Sequence, residues 1–335
     1  MSGAAPVANA PRPLSPLRWG LLGCGGAASK FASDLSAHSF VMAAAASRDG
    51  ARAAAFAAKH GIPTSHASYD TLLADPAVEA VYISLPNHLH AEWTIRAARA
   101  GKHVLCEKPA ALSAAECEAM IRAAERAGTF FMEGFMYRCH PQWGLARAIL
   151  DEGAIGTIRS LQASFCYDMG QRPGNIRLSP GAGGGALSDV GCYALDFARR
   201  FAGSEPVGMK VSARIGPEGV DEFAEAALEF PGGFEARITC ALREARPHLA
   251  VIEGDLGRIE IPRPWHPPAD GAEVKVFTAD GESIYRTGDG LGLFAREALE
   301  VAENLGNRQG PSMTWEDSLG QARALERMRR EAGLA

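Results

Sequence analysis

Between Arg18 and about Leu150, short apolar runs alternate with alanine-rich stretches of helical periodicity, the pattern of a parallel sheet wound with helices. The runs Trp19 to Gly23, Phe40 to Ala46, Val78 to Leu85, His103 to Cys106 and Thr129 to Glu133 are the expected strands. Helices are expected at about 26–37, 49–60, 68–74, 88–100 and 113–127, the last opened by Ser113 as N-cap with Glu116 three residues on. After Gly153 the apolar period shortens to two. Ile158 to Tyr167, Val207 to Ile215, Glu222 to Phe230, Phe234 to Leu242 and shorter runs near 249–253, 258–261 and 273–277 alternate as half-buried strands do. Turn signals such as Pro231-Gly232-Gly233 and Asp280-Gly281 separate them, so an antiparallel sheet is expected. Helices are expected at Leu187 to Phe201 and Phe294 to Asn304, and a last one, Thr314 to Arg330, is expected to pack back on the first domain.

A length of 335 residues exceeds one ordinary core and suits two lobes with a cleft between them. The divisions expected are a flexible tail at 1–16, a first domain at 17–138 and a second at 139–335. A formal charge of -5, with no cluster of Lys or Arg interleaved with aromatics, argues against a nucleic-acid partner. The seven cysteines, at 24, 106, 117, 139, 166, 192 and 240, form no CxxC pair and no zinc-spaced cluster, so neither disulfides nor a metal are expected and the compartment reads as the reducing cytoplasm. Residues 1–16 carry neither a twin-arginine pair nor an apolar segment of export-signal length. No stretch approaches the roughly 20 apolar residues of a membrane span, so no membrane partner is expected.

Chemistry enters with Gly23-x-Gly25-x-x-Ala28, placed where a strand ends and a helix begins. The first glycine permits a tight turn, the second lets backbone approach a pyrophosphate, and Ala28 allows close packing, while the amides of Gly25, Gly26 and Ala27 meet the charge. The first domain is therefore expected to be a Rossmann dinucleotide-binding domain in an α/β protein. At the end of the second strand no carboxylate follows Ala46; Ser47 and Arg48 stand there and suit the 2'-phosphate of NADP, although Asp49 keeps NAD possible and Arg48 could simply open the next helix.

Leu85, Asn87 and His90 follow the next strand at the edge where cofactors bind. Asn87 is expected to cap the following helix, and His90 could face a nicotinamide or satisfy a loop carbonyl. One strand further, Glu107-Lys108-Pro109 offers an ammonium that could stabilise an alkoxide or tune a neighbouring acid, with Glu107 able to orient it; the alternative is a surface ion pair. Gly183-Gly184-Gly185 precedes Asp189 and Tyr193, which are four apart and share a face if helical. Tyr193 would need a cation to exchange a proton near neutral pH, and Lys108 is the candidate; otherwise Asp189 is a cap and Tyr193 a core aromatic. Arg138, His140 and Tyr167 are placed in a substrate pocket at the crossover between domains, with interdomain packing as the alternative for the first two.

With these residues in place, the chain from about Arg18 to Arg330 resembles the glucose-fructose oxidoreductase / inositol dehydrogenase (Gfo/Idh/MocA) family. The shared motifs are Gly23-x-Gly25-x-x-Ala28, Pro86-Asn87-x-x-His90, Ala100-Gly101-Lys102-His103-Val104, Glu107-Lys108-Pro109 and Gly183-Gly-Gly-Ala-Leu-x-Asp189-x-Gly191-x-Tyr193-x-x-Asp196. The resemblance implies a C-terminal α/β domain with a large, mostly antiparallel open sheet, a nicotinamide cofactor, and a homodimer or homotetramer formed through that sheet. Tyrosine at 193, with Met132-Glu-Gly-Phe-Met-Tyr-Arg138 upstream, resembles the branch of NADP-dependent sugar and dihydrodiol dehydrogenases. It implies Lys108 and Tyr193 as the catalytic pair, supported by Asp189, acting on a sugar, polyol or cyclic diol. A glycoside hydrolase using a redox relay, or a non-catalytic cofactor-binding subunit, are the alternatives.

Overall fold

The computed structural model describes residues 17–334. The segment 1–16, expected to be a flexible tail, lies outside the described residues. The first half contains β1 (Arg18–Leu22), β2 (Val41–Ala46), β3 (Thr64–His66), β4 (Ala80–Ile83), β5 (His103–Glu107) and β6 (Phe131–Gly134), in the parallel order β3-β2-β1-β4-β5-β6. Between them run α1 (Gly26–Ala37), α2 (Gly50–His60), α3 (Tyr69–Leu73), α4 (His90–Arg99) and α5 (Ala114–Ala127). Strand order reverses between β1 and β4, so their carboxyl ends open the crevice where ligands bind in such sheets.

Alternate strand residues feed two cores, because a parallel sheet must bury both faces. Trp19, Leu21, Tyr82 and Met132 join Phe31 and Leu35 of α1, with Phe31 stacked on Tyr82 at 3.9 Å. Leu22, Val81, Ile83 and Phe131 face Trp93 of α4 and Met120 of α5. The first core continues without a break into the second half, through Tyr137, Trp143 and Phe165.

The second half adds α6 (Pro141–Asp151), β7 (Ile158–Cys166), α7 (Cys192–Ala202), β8 (Gly208–Ile215), β9 (Asp221–Glu229), β10 (Glu235–Ala241), β11 (Leu249–Gly254), β12 (Gly257–Glu260), β13 (Ala272–Thr278) and β14 (Gly281–Thr287), then α8 (Leu293–Glu303) and α9 (Trp315–Glu331). Its eight strands run β14-β13-β12-β11-β7-β10-β9-β8, antiparallel except for the β7–β10 pair. Inward residues such as Leu161, Ala226 and Ile238 are buried, whereas Gln162, Glu225, Glu229 and Arg237 are exposed on the open face. The expected α/β architecture is present, with two strands added. β3 is a three-residue edge strand, and β14 is exposed along nearly its whole length, so neither carries an apolar run.

Thr314 opens α9 with a capping box to Asp317. From α9, Glu326 accepts from Ala114 N at 3.0 Å and Gln321 donates to Cys192 O at 2.8 Å, so this helix bonds elements of both halves. Among the described residues no helix is long and apolar enough to cross a membrane.

At the end of β6, Glu133 is buried and accepts from Ala110 N at 2.9 Å. Burial pushes its carboxyl up to about 7. The folded state therefore holds a proton that the unfolded state releases at lower pH, so this stability is present below the unfolded value and lost as pH rises through about 7. Glu133→Gln should flatten the melting temperature between about pH 4.5 and about pH 7.5 relative to wild type, measured by differential scanning calorimetry; parallel profiles would refute the buried proton.

Candidate active site

Gly23 follows β1 with φ at +104°, and a Cβ there would stand 3.0 Å from Ser84 O, so only glycine fits comfortably. Gly25 and Gly26 have nothing within 4 Å of where a Cβ would be. With Ala27 they line the cleft at the start of α1, while Ala28 is fully buried beneath them. Open space against first-turn amides fits a dinucleotide pyrophosphate.

At the end of β2, Ser47 is buried and its Oγ accepts from Asp49 N at 3.2 Å. Asp49 caps α2, accepting from the amides of Ala51 and Arg52. Its Oδ1 is thus engaged, while Arg48 and Arg52 are both exposed beside it. Arg52 donates to Cys24 O at 3.2 Å, which anchors it over the glycine loop. The sequence pattern did not mark Arg52, because it sits within a helix beyond the strand-end motif. Two exposed guanidiniums fit a 2'-phosphate.

A cleft of about 520 Å³ lies between the two halves. Lys108 enters it from the end of β5, and Asp189 and Tyr193 enter from the opposite side. Residues Leu187–Gly191 form one turn of π-helix ahead of α7, and in this wider turn the Asp189 carbonyl accepts from Lys108 Nζ at 2.6 Å. Lys108 Nζ also stands 3.6 Å from Asp189 Oδ1 and 4.9 Å from the centre of the Tyr193 ring. Asp189 Oδ2 accepts from the Tyr167 hydroxyl at 2.7 Å and from Arg177 Nε at 2.9 Å.

Burial alone would raise the Asp189 carboxyl, but Lys108, Arg177 and Tyr167 hold it below the ordinary range. Burial alone would lower Lys108, yet Asp189, helped by Cys192 and Glu107, lifts it above its usual value. Both groups therefore remain charged near neutrality. Tyr193 behaves differently from expectation. Burial, reinforced by Glu107, Cys192 and Asp189, pushes its phenol well up, because Lys108 lies over the ring face with its charge answered by Asp189.

Several expected residues take other roles. Asn87 does not cap a helix; its amide donates to Gly183 O at 2.9 Å and ties the two halves across the cleft. His90 lies between Pro109 O and Leu85 O, at 2.9 and 2.8 Å, so its ring serves loop carbonyls. Burial lowers its pKa even though both carbonyl contacts favour a second ring proton. Glu107 lines the cleft; its carboxylate accepts from the Tyr82 hydroxyl and from the Lys108 backbone amide. Leu85 and Tyr167 also line the cleft.

Arg138 and His140 do not reach it. Arg138 is buried, with Nη2 at 2.8 Å from Asp196 Oδ1 and Nη1 donating to Ser312 O at 2.6 Å. His140 caps α6, its Nδ1 accepting from Gln142 N at 3.1 Å, and burial lowers it to about 4. The 3-10 turn Met136–Cys139 presents Met136 to the cleft and turns Tyr137 and Arg138 inward, so interdomain packing is their role. Conversely, Lys30, Arg177 and His266 line the cleft without having been singled out. Each is solitary in its own segment, with no motif to mark it. His266 is lowered to about 4, first by burial and then by Lys30, His248 and Lys108.

Comparison with known proteins agrees with this geometry. Residues 17–135 match the family described as oxidoreductase family, NAD-binding Rossmann fold, and residues 143–260 match the GFO/IDH/MocA C-terminal domain. A D-xylose 1-dehydrogenase (NADP(+)) from Haloferax volcanii is 36% identical, over 85% of this chain and 87% of its own. A trans-1,2-dihydrobenzene-1,2-diol dehydrogenase from Sus scrofa is 32% identical, over 95% and 97%. The structure of a 3-ketoreductase from Actinomadura kijaniata, in complex with NADP and TDP-benzene, superimposes with a TM-score of 0.87 at 33% identity, covering 94% of this chain and 98% of that one.

Proposed function

The chain belongs to the Gfo/Idh/MocA family of oxidoreductases, and from that premise we propose that it moves hydride between NADP and a hydroxyl-bearing carbon of an aldose, polyol or cyclic diol. Lys108 and Tyr193 handle the substrate proton, and Asp189 holds Lys108. The observation that carries this reading is the meeting of Lys108 with Asp189 and Tyr193, from opposite halves of the molecule, in the cleft that the glycine loop opens.

A nicotinamide dinucleotide bound along Gly25, Gly26 and Ala27 supplies or takes the hydride. Tyr193 stays a phenol near neutrality and so can give its proton to a developing alkoxide. In the reverse direction Tyr193 must first release its own proton to solvent; the phenolate, offset by the Lys108 charge, then takes the substrate hydroxyl proton. Asp189 keeps Lys108 protonated and fixed, and Tyr167 and Arg177 fix Asp189.

An absorbance assay pairing NADP or NAD with aldoses, inositols, sugar acids and trans-dihydrodiols should reveal NADP-linked turnover on a sugar or diol. Silence across the panel would overturn the proposal. Replacing Arg48 and Arg52 together by Ala should raise the NADP KM roughly 10- to 100-fold, the worth of charged phosphate contacts, while leaving the NAD KM within about twofold. An equal effect on both cofactors would count against a 2'-phosphate site. All seven cysteines are unpaired, which supports a reducing cytoplasm as the compartment. The open sheet face suits pairing into a homodimer or homotetramer, which light scattering would read directly.

A further inference from the structure

Glu107 on β5 pairs in register with Gly134 on β6, at the sheet edge that bears Lys108. A Cβ on Gly134 would lie 3.3 Å from Oε1 of Glu297, so the carboxyl of Glu297 fills the place a side chain at 134 would take. Glu297 reaches in from α8, whose N-terminal amides at Phe294 and Ala295 are held by Asp34 of α1 at 2.9 and 3.2 Å. It is 1% exposed, and its Oε1 has no hydrogen-bond partner.

The titratable groups around it are Asp34 of α1, Tyr82 of β4, Glu107 of β5, Cys139 in the turn after β6, Tyr193 of α7 and Glu300 of its own helix. Arg296, its neighbour on α8, is engaged by Asp289 and Leu291 O. Among the described residues no cation offsets a charge on Glu297. Burial raises the Glu107 carboxyl too, but Lys108 and the Tyr82 hydroxyl pull it back down, whereas every influence on Glu297 raises it. Two carboxyls in one dry site cannot both ionise cheaply, and the proton stays on the one without partners.

We propose that Glu297 is a positioning residue of the active site, keeping a proton behind Glu107 so that Glu107 alone carries the negative charge facing Lys108. The role rests on Lys108 and Tyr193 being the catalytic pair. Burial, with Glu107, Glu300 and Asp34 adding to it, pushes the Glu297 carboxyl well above the usual range. The neutral form therefore stabilises the fold at low pH, and that stability is lost as pH rises through the raised value. Ionising Glu297 would place a second negative charge behind the site, raising Lys108 further and opposing a Tyr193 phenolate.

Glu297→Gln keeps the shape and cannot ionise. Relative to wild type, it should gain melting temperature steadily as pH rises above the ordinary carboxylate range. Labelling of Lys108 by an amine-reactive reagent, followed by peptide mass spectrometry, should reach half-maximal rate at least about half a pH unit lower than in wild type. The alkaline limb of kcat/KM with NADP should move downward together with the Lys108 labelling midpoint. Glu297→Met, similar in length and equally unable to titrate, should reproduce both shifts if the Gln variant does not accumulate. A melting-temperature offset that is the same at every pH would mean mere packing and overturn the proposal, as would a Lys108 labelling midpoint that rises in the Gln variant. Should Lys108→Met retain turnover, the catalytic reading falls, while the stability and labelling measurements still decide where the Glu297 proton sits.

Discussion

Lys108→Met and Tyr193→Phe are each expected to lower kcat by roughly 10²- to 10⁴-fold, the usual worth of a positioned proton-transfer group, while NADP binding changes little. Lys108 is fixed by the Asp189 carbonyl at 2.6 Å and carries its charge across the Tyr193 ring, whereas the glycine loop and the β2 terminus that suit the cofactor lie on other elements. Methionine keeps the length of the stem and removes the charge. Phenylalanine keeps the packing against Phe135 and Phe165 and removes the proton. Because the two act on one proton, the double variant should be little worse than the weaker single variant. Steady-state kinetics with cofactor titration by fluorescence would check this. Near-normal turnover in both single variants would remove the pair from the mechanism, and matching losses of cofactor affinity would make it a binding feature instead.

Arg138→Leu is expected to cost about 3–5 kcal/mol of unfolding free energy, because it strands the fully buried Asp196 with no counter-charge. Asp196 also accepts from the Tyr137 hydroxyl, so that contact is disturbed as well. Leucine at both 138 and 196 should recover much of the loss, since a well-packed apolar pair can replace a buried ion pair. Urea denaturation with one spectroscopic probe of each half would read the cost. The same variant separates two roles for Arg138. A substrate contact would raise KM at unchanged stability, whereas the buried pair predicts lost stability with KM unchanged in the protein that remains folded.

Much of the fold was legible along the chain because its causes are local. Period-two and helical spacing, the N-cap at Ser113 and the start of the last helix at Thr314 depend on residues a few places apart, and the structure carries them where the pattern put them. β3 and β14 escaped because edge strands bury little and so need no apolar run. Within the site, the glycine loop, Lys108, Asp189 and Tyr193 stood in motifs and do converge on one cleft.

The remaining features depend on groups brought together from distant segments. Asp49 turns one carboxylate oxygen to capping α2, and Asn87 is drawn off to Gly183 O, choices settled by which amide or carbonyl lies within reach after folding. Arg138 and His140 could not be told from pocket residues until the turn Met136–Cys139 gave each side chain a direction. Arg177 joins Asp189, and Glu297 fills the space left at Gly134, only once loops and helices pack. The chain alone thus determined the two-sheet α/β architecture and marked the glycine loop, the lysine and the tyrosine that meet in one cleft, since spacing and residue type suffice for those. Which charges are paired, which proton is held and which side chains face the cleft were settled only in the packed molecule, because burial and partners, not residue identity, set those energies.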